Sequence, residues 1–383
     1  MEIKNLRKAA ERIKKAVKDK EKIILYGDAD LDGVVSVIVL RETIKNLGGN
    51  VTAVYFPDRE TEGYGLSDTG LSYLKQFSPG LLVTLDFGIG NFQQVKDAKK
   101  MGFNVIIIDH HEILDGVPKA DIVVDPKQKG DRYPFKGFAN AGITFKLAEI
   151  MFGDKMTESV RKNFLELVAL ATVADMMPRE ADNEIIITEG LRFLEESWRP
   201  GVKVFFEPEF FSDYELKQKI SKIISVLNVR DVKNQMPASF RLLSVSSVEE
   251  AKEIIKGLLE KNEQRREKIK EISSELEKRI SGKEEPIIFE GDSNWDISLI
   301  SIIASIAVQN FGKPAFIYKI MNGESQGTVR APEGIDSVAL MKKCKKLLIT
   351  FGGHPAASGF RIKSENLGKF KSCLIKNLKK NKK

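Results

Sequence analysis

The sequence has little of the two residue types that build most disulfide and zinc sites. Only two cysteines and three histidines occur among its 383 residues. Cys344 and Cys373 are far apart and show no C-x-x-C spacing, so we expect neither a disulfide framework nor a zinc site. The histidines are His110 and His111 in a DHH motif and His354 in GGHPAASG. Their restriction to two motifs makes those motifs candidates for function.

Long apolar runs are also missing. The longest, Leu299–Val308, is interrupted by Ser301 and Ser305 and is too short to span a bilayer. The N-terminal stretch MEIKNLRKAAERIKK has the pattern of a charged amphipathic helix and not of a signal peptide. We therefore expect a cytoplasmic protein with no membrane partner. The G-x-x-x-x-G-K-[ST] and G-x-G-x-x-G motifs are absent too, which argues against a P-loop nucleotide hydrolase and a dinucleotide-binding enzyme.

Positive charge is in excess, but the excess is confined to one end of the chain. Lys and Arg number 61 against 54 Asp and Glu, which gives a formal net charge of +7. Residues 369–383 contain seven lysines and no acid, so the rest of the chain is formally neutral. This Lys-rich tail could contact nucleic-acid phosphates or could be a solvated helix, and the bulk charge alone does not decide between them.

Strand and helix patterns alternate over the first 125 residues. The apolar, β-branched runs that predict strands are 22–29, 50–56, 81–87, 104–110 and 121–125. The predicted helices between them are 34–47, 66–77 and 91–101. Strands that alternate with helices form a parallel sheet with helices on both faces, so we expect an N-terminal α/β domain with a doubly wound parallel sheet.

The rest of the chain predicts a helical segment, a long connecting helix and a second α/β domain. The pattern is nearly all helical from residue 140 to about 225, and 249–281 reads as one helix with an apolar stripe at Ile269, Ile272, Leu276 and Ile280. Strand patterns return at 286–291, 314–320, 325–331 and 358–363, with helices at 296–311 and 336–346. We expect an N-terminal domain over 1–245, a helical linker over 246–283, and a smaller C-terminal α/β domain with the Lys-rich tail over 284–383.

Acidic residues follow several of the predicted strands. The first strand runs into DADLDG, which contains Asp28, Asp30 and Asp32, the third runs into Asp86, and the fourth runs into DHH. The helical pattern LVALATVADMMP brings Asp175. Ligands bind at the carboxyl ends of strands in doubly wound sheets, and carboxylates gathered there repel one another unless cations compensate them. Oxygen ligands with one imidazole suit Mn²⁺ or Mg²⁺.

Two other structures could explain DADLDG. An EF-hand loop starting at Asp28 needs a bidentate Glu at its twelfth position, which is Val39, and it follows a helix, whereas DADLDG follows a predicted strand. A helix N-cap at Asp32 explains one acid but not three that alternate. We therefore favour metal ligation.

A glycine-rich segment and a few aromatic residues are candidates for substrate contact. The glycines of GGH at 352–354 allow close backbone approach, and the backbone N–H groups there, with the histidine, could hold a phosphate. Tyr55, Phe56 and Tyr64 are candidates for stacking on bases, although packing in the core or at a strand edge explains the first two better.

These motifs resemble those of a known family. DADLDG, LDFGIGN, DHHE and TVADMMP resemble the motifs of the DHH phosphoesterases, and GGHPAASGF is similar to the signature of their associated C-terminal domain. Within that superfamily the chain looks most like the RecJ-type single-strand exonucleases, and its organisation is similar to that of the compact archaeal RecJ-like proteins. The resemblance implies a DHH catalytic domain over 1–245 and a substrate-binding domain over 284–383.

The resemblance also implies roles for individual residues. The implied metal ligands are Asp28, Asp30, Asp32, Asp86, His110 and Asp175. Asp86, Asp109 and His111 are the implied catalytic residues: Asp86 would bridge two cations, His111 would contact phosphate, and Asp109 would orient the neighbouring imidazole. The implied substrate contacts are His111, Arg330, Gly352, Gly353 and His354.

The sequence departs from the family pattern in two places. Tyr26 stands where many relatives have a histidine, so Asp28 would take over that ligand role, as in RecJ-like members. The stretch LNVRDVKNQ at 227–235 differs from the bacterial RecJ pattern, so substrate contacts made there are not carried over.

The expected function is metal-dependent hydrolysis of single-stranded DNA or RNA to mononucleotides, with two Mn²⁺ ions, or Mg²⁺, to activate water. A phosphodiesterase for short oligonucleotides or cyclic dinucleotides would share the site. A noncatalytic replisome scaffold of the same fold would have lost ligands, whereas every expected ligand position here is acidic or histidine. Replisome components are candidate partners beside the nucleic acid. Strand polarity and the choice between DNA and RNA stay open.

Overall fold

The computed structural model describes residues 2–59, 61–229 and 231–380, with the backbone alone at 379 and 380. The strands are β1 (Ile23–Gly27), β2 (Ala53–Tyr55), β3 (Gly80–Leu85), β4 (Phe103–Ile108), β5 (Ile122–Val124), β6 (Val232–Lys233), β7 (Met236–Pro237), β8 (Ile288–Asp292), β9 (Ala315–Ile320), β10 (Glu324–Arg330), β11 (Leu348–Gly353) and β12 (Ala357–Lys363). The helices of the first half are α1 (Leu6–Lys18), α2 (Leu31–Asn46), α3 (Asp68–Leu74), α4 (Phe92–Lys100), α5 (Asn140–Phe152), α6 (Glu158–Ala174) and α7 (Ala181–Arg192). Those that follow are α8 (Pro200–Lys203), α9 (Leu216–Leu227), α10 (Ala238–Leu243), α11 (Val248–Ile280), α12 (Ile300–Phe311), α13 (Ser337–Lys342) and α14 (Leu367–Lys380).

The N-terminal sheet has the strand order β2-β1-β3-β4-β5, and all its neighbouring strands are parallel. Residues of β1 alternate between two cores. Ile23 and Leu25 pack with α1, α2, α5 and α6, whereas Ile24 and Tyr26 pack with α3 and α4. The predicted doubly wound sheet is therefore confirmed. Because helices cover both faces of this sheet, its polar side chains can reach solvent or a ligand only where the strands end.

The long helix α11 contains 33 residues, as the sequence pattern predicts. The chain separates into two compact units, Met1–Asn262 and Glu263–Lys383, and the division falls inside this helix. The predicted domain limits at 245 and 283 remain an interpretation of the sequence.

The C-terminal unit contains a second sheet with the order β11-β12-β10-β9-β8. Only the β8–β9 pair is parallel among the described strand pairs of this sheet. Helices α13 and α14 cover one face. The other face packs against α12 and the end of α11, where Leu276 is buried and Ile269, Ile272 and Ile280 are half-buried against the same core. The predicted apolar stripe of α11 is thus confirmed, and a second α/β domain is present.

The prediction about the cysteines is wrong. Cys344 follows α13, Cys373 lies in α14, and the two form a disulfide with their Cα atoms 6.1 Å apart. The two helices pack side by side on one sheet face, which brings together residues separated by 29 positions. No local spacing can signal such a pairing, because tertiary packing alone makes it.

Several elements also differ from the sequence patterns. Helix α13 ends at Lys342, earlier than the predicted 346, and the strand β11 was not predicted. The last three residues of the Lys-rich tail lie outside the described part of the chain. Across the described helices, none has both the length and the apolar character needed to cross a membrane.

Candidate metal centre

The carboxyl ends of the N-terminal strands gather the acidic residues at one edge of the sheet. Asp28 follows β1, Asp86 follows β3 and Asp109 follows β4, and all three are buried. Asp32 is buried in the first turn of α2, and Asp175 caps the C-terminal end of α6. The parallel topology therefore explains why residues far apart in the sequence meet at this edge.

Three groups of side chains in this cluster have ligand atoms close enough to hold a metal ion. Within each group the atoms lie within 4.8 Å of one another. The groups are Asp28 with Asp30 and Asp86; Asp32 with His110 and Asp175; and Asp86 with His110 and His111. The structure thus brings together all six residues predicted as metal ligands, and Asp86 and His110 are each shared by two groups.

The His110 imidazole is held with one nitrogen directed at the carboxylates. Its Nδ1 lies 2.8 Å from the carbonyl oxygen of Phe138 and donates to it, so Nε2 carries the lone pair. Nε2 lies 3.2 Å from Asp86, 3.6 Å from Asp175 and 3.9 Å from Asp32. Burial and the charge of His111 lower the pKa of His110 to about 3, which keeps the ring neutral. A neutral imidazole with a fixed tautomer is the form that binds metals.

Two carboxylate oxygens in the cluster are buried without a hydrogen bond within the described residues: Oδ1 of Asp86 and Oδ2 of Asp175. Burial, followed by the charges of Asp32 and Asp30, raises the pKa of Asp86 well above its ordinary value. Burial and the charge of Asp30 raise the pKa of Asp175 to about 7. Buried carboxylates that repel one another and lack donors fit one or more divalent cations.

Two further aspartates anchor the local structure beside their proposed ligand role. The Asp30 side chain caps α2 by accepting from the Gly33 N–H at 3.1 Å, so the capping residue is Asp30 and not Asp32. The Asp32 carboxylate accepts from the backbone N–H groups of Asn140 at 2.7 Å and Ala141 at 2.8 Å, where α5 begins. These bonds fix the direction of both carboxylates.

Asp109 holds His111 and the turn around it. Its carboxylate accepts from the N–H of Ile89 at 2.9 Å, from two backbone N–H groups of DHH, and from His111 Nδ1 at 2.8 Å. Against the effect of burial, the charge and hydrogen bond of His111 lower the pKa of Asp109 to about 2. The charge and hydrogen bond of Asp109, again against burial, raise the pKa of His111 to about 9. Asp109 therefore orients the ring of His111, whereas the Phe138 carbonyl orients the ring of His110.

Tyr64 completes the surroundings of His111. Its hydroxyl donates to the backbone carbonyl of Asp86 at 3.0 Å and lies 3.2 Å from the ring nitrogens of His111. The Tyr64 side chain is exposed, whereas Tyr55 and Phe56 are buried in the core. Of the three aromatic candidates, Tyr64 alone therefore stands beside the cluster with its ring accessible.

Arg59 and Asp125 also lie at this edge and are not among the residues predicted from the sequence. The Arg59 guanidinium pairs with both oxygens of Asp28 and with Asp30 at 2.8 Å. Asp125 follows β5 and is buried, with an Oδ2 that has no hydrogen bond in the described structure, and burial raises its pKa to about 7. Asp125 ends the predicted strand DIVVD, so its position at a strand end could have identified it in the same way as the other acids. Arg59 lies between predicted elements and has no motif around it.

Arg59 should compete with a cation for Asp28 and Asp30. We expect Arg59→Gln to tighten Mn²⁺ binding by about three- to tenfold, because the metal then no longer has to break the ion pairs of Arg59 with these two carboxylates. The variant should also unfold at a lower temperature without Mn²⁺. Calorimetric titration and thermal unfolding measure the two effects. Arg12→Gln, which loses an ion pair with Glu21 away from the cluster, is the matched control and should leave Mn²⁺ affinity unchanged.

The residues predicted as substrate contacts in the C-terminal unit lie together at one end of its sheet. Arg330 ends β10 and pairs with Ala357 of β12, and His354 lies in the turn that joins β11 to β12. Gly353 has φ 124°, and a Cβ there would lie 2.6 Å from the Ala357 carbonyl oxygen, so the turn requires glycine. The His354 N–H donates to Ala357 within this turn at 2.8 Å.

Two domain families match parts of the chain. Residues 22–172 match the DHH family, N-terminal domain, and residues 284–380 match the DHHA1 domain. The chain is 33% identical over 380 residues to the single-stranded-DNA-specific exonuclease RecJ of Bacillus subtilis, covering 97% of this chain and 48% of that protein. It therefore spans about half the length of this relative.

Two solved structures have the same fold. A crystal structure of exonuclease RecJ bound to manganese superposes with a TM-score of 0.80 at 24% identity, over 98% of this chain and 95% of that one. A structure of RecJ in complex with Mn²⁺ from Thermus thermophilus gives a TM-score of 0.84 at 23% identity, over 98% and 55% of the two chains.

Proposed function

The chain belongs to the DHH family, and since it joins a DHH domain to a DHHA1 domain and is homologous to RecJ, we propose that it is a metal-dependent exonuclease that hydrolyses single-stranded DNA to mononucleotides. The substrate is the one that the RecJ relative's name gives. The observation that carries the proposal is the cluster around Asp86 and His110, where a neutral imidazole and several carboxylates lie close together and two buried oxygens have no hydrogen bond to any described residue.

The proposed metal ligands are Asp28, Asp30, Asp32, Asp86, His110 and Asp175. When bound, a pair of Mn²⁺ or Mg²⁺ ions would supply an activated water and would neutralise charge on the phosphate. The Phe138 carbonyl keeps the lone pair of His110 on Nε2, and the amides at the start of α5 hold Asp32 in place. Asp86 is proposed as the shared ligand because its carboxylate belongs to two of the groups.

His111 is proposed to bind the scissile phosphate as a cation. Asp109 holds its Nδ1, and the raised pKa keeps the ring protonated at neutral pH. The Tyr64 hydroxyl gives its proton to the Asp86 carbonyl and can therefore accept from the second ring nitrogen. With Nδ1 kept by Asp109, the Nε2–H can exchange the Tyr64 hydroxyl for a non-bridging phosphate oxygen without a large rearrangement of the ring.

Arg330 is proposed to bind a phosphate of the same strand. Its guanidinium is partly buried and donates to Thr328 Oγ1 and the Val329 carbonyl, and among the described residues no carboxylate pairs with it. Burial lowers the pKa of Arg330 below its ordinary value. A partly buried cation without an acidic partner favours an anionic ligand.

We expect Arg330→Gln to lower kcat/KM for oligonucleotides by about one to two decades, through KM, because one charge-assisted contact contributes roughly 1.5–3 kcal/mol. Hydrolysis of bis(p-nitrophenyl) phosphate should not change, since that small diester has no neighbouring phosphate. Steady-state kinetics on both substrates test this. Arg361→Gln, which removes an exposed cation paired with Glu324 on the adjacent strand, is the control. Equal losses for both variants would contradict the assignment.

Digestion of end-labelled strands tests the proposed function. With Mn²⁺ present, the chain should release mononucleotides from a long single DNA strand and should leave the blunt duplex of the same sequence intact. An RNA strand and a dinucleotide serve as further substrates. Faster cleavage of the dinucleotide than of the long strand would favour the small-substrate phosphodiesterase instead.

Partners and location remain predictions. Replisome components are proposed as candidate partners, and pull-down from a matched cell extract, with the Asp86→Asn chain as bait, would test them. The cytoplasmic location also rests on the sequence alone.

A further inference from the structure

A cavity of about 340 Å³ lies in the N-terminal unit, away from the metal-ligand cluster. The first half of α6 forms one wall, and the segment 193–198 forms the other. Glu166, at its base, precedes Asp175 by nine residues on the same helix, which corresponds to about 14 Å along the axis. None of the residues assigned to the nuclease reaction lines it.

Glu166 directs a buried carboxylate at this cavity. Glu166 is only 2% exposed. Oε1 accepts from Asn163 Nδ2 at 3.0 Å and from Ser197 Oγ at 2.8 Å. Oε2 has no donor among the described residues. Within the described residues Oε2 is not shut off from water, so a cationic group that enters the cavity can reach it and replace water there.

The nearest arginine does not serve as that partner. Arg199 gives its guanidinium N–H groups to both oxygens of Glu42 at 2.9 and 2.8 Å, to Asn163 Oδ1 at 2.6 Å and to the Leu243 carbonyl at 2.8 Å. Its backbone N–H also donates to Ser197 Oγ. Arg199 thus fixes the two residues that orient Glu166, and although its N–H groups go to other partners, its charge opposes the effect of burial on the pKa of Glu166.

Aromatic rings and further acids surround the opening. Trp198 is 63% exposed, which is unusual for the largest apolar side chain. The ammonium of Lys162 lies 4.6 Å from the centre of the Phe193 ring and pairs with Glu158 at 2.8 Å. The Arg199 guanidinium lies 5.8 Å from the centre of the Trp198 ring, so both rings already accommodate a cation of the chain. With Glu196, the lining has three carboxylates and one lysine.

We propose that this cavity binds a guanidinium group, with Glu166 at its base and the rings of Phe193 and Trp198 at its sides. A planar cation can stack on an indole and donate to a carboxylate at the same time. The group can belong to a small molecule or to an arginine side chain of a partner protein. The chemistry is the same in both cases, and the site is independent of the proposed nuclease function.

Trp198 gives a direct readout of binding. The sequence contains two tryptophans, and the other, Trp295, is buried in the C-terminal unit. In the full-length Trp295→Phe chain, the emission of Trp198 is followed while agmatine or the peptide Gly-Gly-Arg-Gly-Gly is added. Burial raises the pKa of Glu166 to about 7, so the titration is carried out at pH 8.5, where the carboxyl is ionised.

Agmatine should change the emission with saturation, and neutral N-butylurea should not. Glu166→Gln keeps an oxygen for Asn163 and Ser197 but loses the charge, so it should weaken binding about tenfold or more. Glu158→Gln, whose carboxylate is exposed at the rim, should weaken it less than about threefold. Saturation by the peptide alone would assign the site to a partner's arginine.

Three results would overturn the proposal: saturation by neither probe, equal binding of N-butylurea, or unchanged affinity in Glu166→Gln. The comparison of agmatine with N-butylurea uses the unchanged cavity and holds even if a variant does not fold. Digestion of single-stranded DNA by Glu166→Gln should proceed as in the parent chain, which separates a failure here from a failure of the proposed function.

Discussion

Replacing Asp86 by asparagine is expected to lower kcat/KM for single-stranded DNA by on the order of 10³-fold or more. The carboxylate belongs to two of the three possible ligand groups, and its Oδ1 has no hydrogen bond in the described structure. An amide of the same shape removes the charge without leaving a cavity. Steady-state kinetics with Mn²⁺ measure the loss, and it should fall on both oligonucleotides and the small activated diester.

The same variant should not be less stable without metal. The pKa of Asp86 is raised in the fold, so ionising it opposes folding; this penalty is absent below the unfolded pKa and grows as pH rises toward the folded value. Asp86→Asn removes the penalty and should unfold at a higher temperature than the parent chain at pH 8 in chelator. Asp97→Asn, at a half-buried acid outside the cluster that pairs with Lys100, is the control. Near-parental turnover by Asp86→Asn would show that this residue does not bridge cations.

Removal of divalent cations should abolish hydrolysis, and Mn²⁺ should restore it and stabilise the fold. Asp28, Asp32 and Asp86 are buried together, and burial is the main cause of their raised pKa values. Cations that bind the folded chain add about 2.7 kcal/mol at 100 times their dissociation constant. Thermal unfolding and digestion of a labelled strand, both after treatment with EDTA and after readdition of Mn²⁺, measure the two effects.

The Mn²⁺-induced rise in unfolding temperature should be smaller in Asp86→Asn than in the parent chain and should be unchanged in Asp97→Asn. This pairing separates binding at the cluster from weak attraction of cations to surface acids. Hydrolysis that survives exhaustive chelation would contradict a metal-dependent reaction.

The alternation of strand and helix patterns, and the acidic residues at the ends of the strand patterns, were enough to predict the N-terminal fold. Strands such as β3 and β4 are buried on both faces and read as continuous apolar runs, and the parallel order places their ends at one edge. The sequence alone therefore places Asp86 and Asp109 at that edge. The six proposed ligands meet there, and their role as ligands remains a prediction.

What the sequence could not predict depends on contacts between distant residues. The Phe138 carbonyl that fixes the His110 tautomer is a backbone group with no sequence signal. Arg59 reaches Asp28 from a segment without periodicity. Nothing in the sequence around Glu166 distinguishes it from the other residues of α6, and only its contacts in the fold do so. The Cys344–Cys373 disulfide was missed for the same reason.

Electron paramagnetic resonance of the Mn²⁺-loaded chain tests the central claim most directly. Two Mn²⁺ ions that share the Asp86 carboxylate would lie about 3.5–4 Å apart and would be exchange-coupled. The expected result is two bound Mn²⁺ per chain with a coupled spectrum, which Asp86→Asn converts to that of isolated ions. A parent chain that binds one Mn²⁺, or whose bound ions give only the uncoupled six-line spectrum, would contradict the two-metal centre.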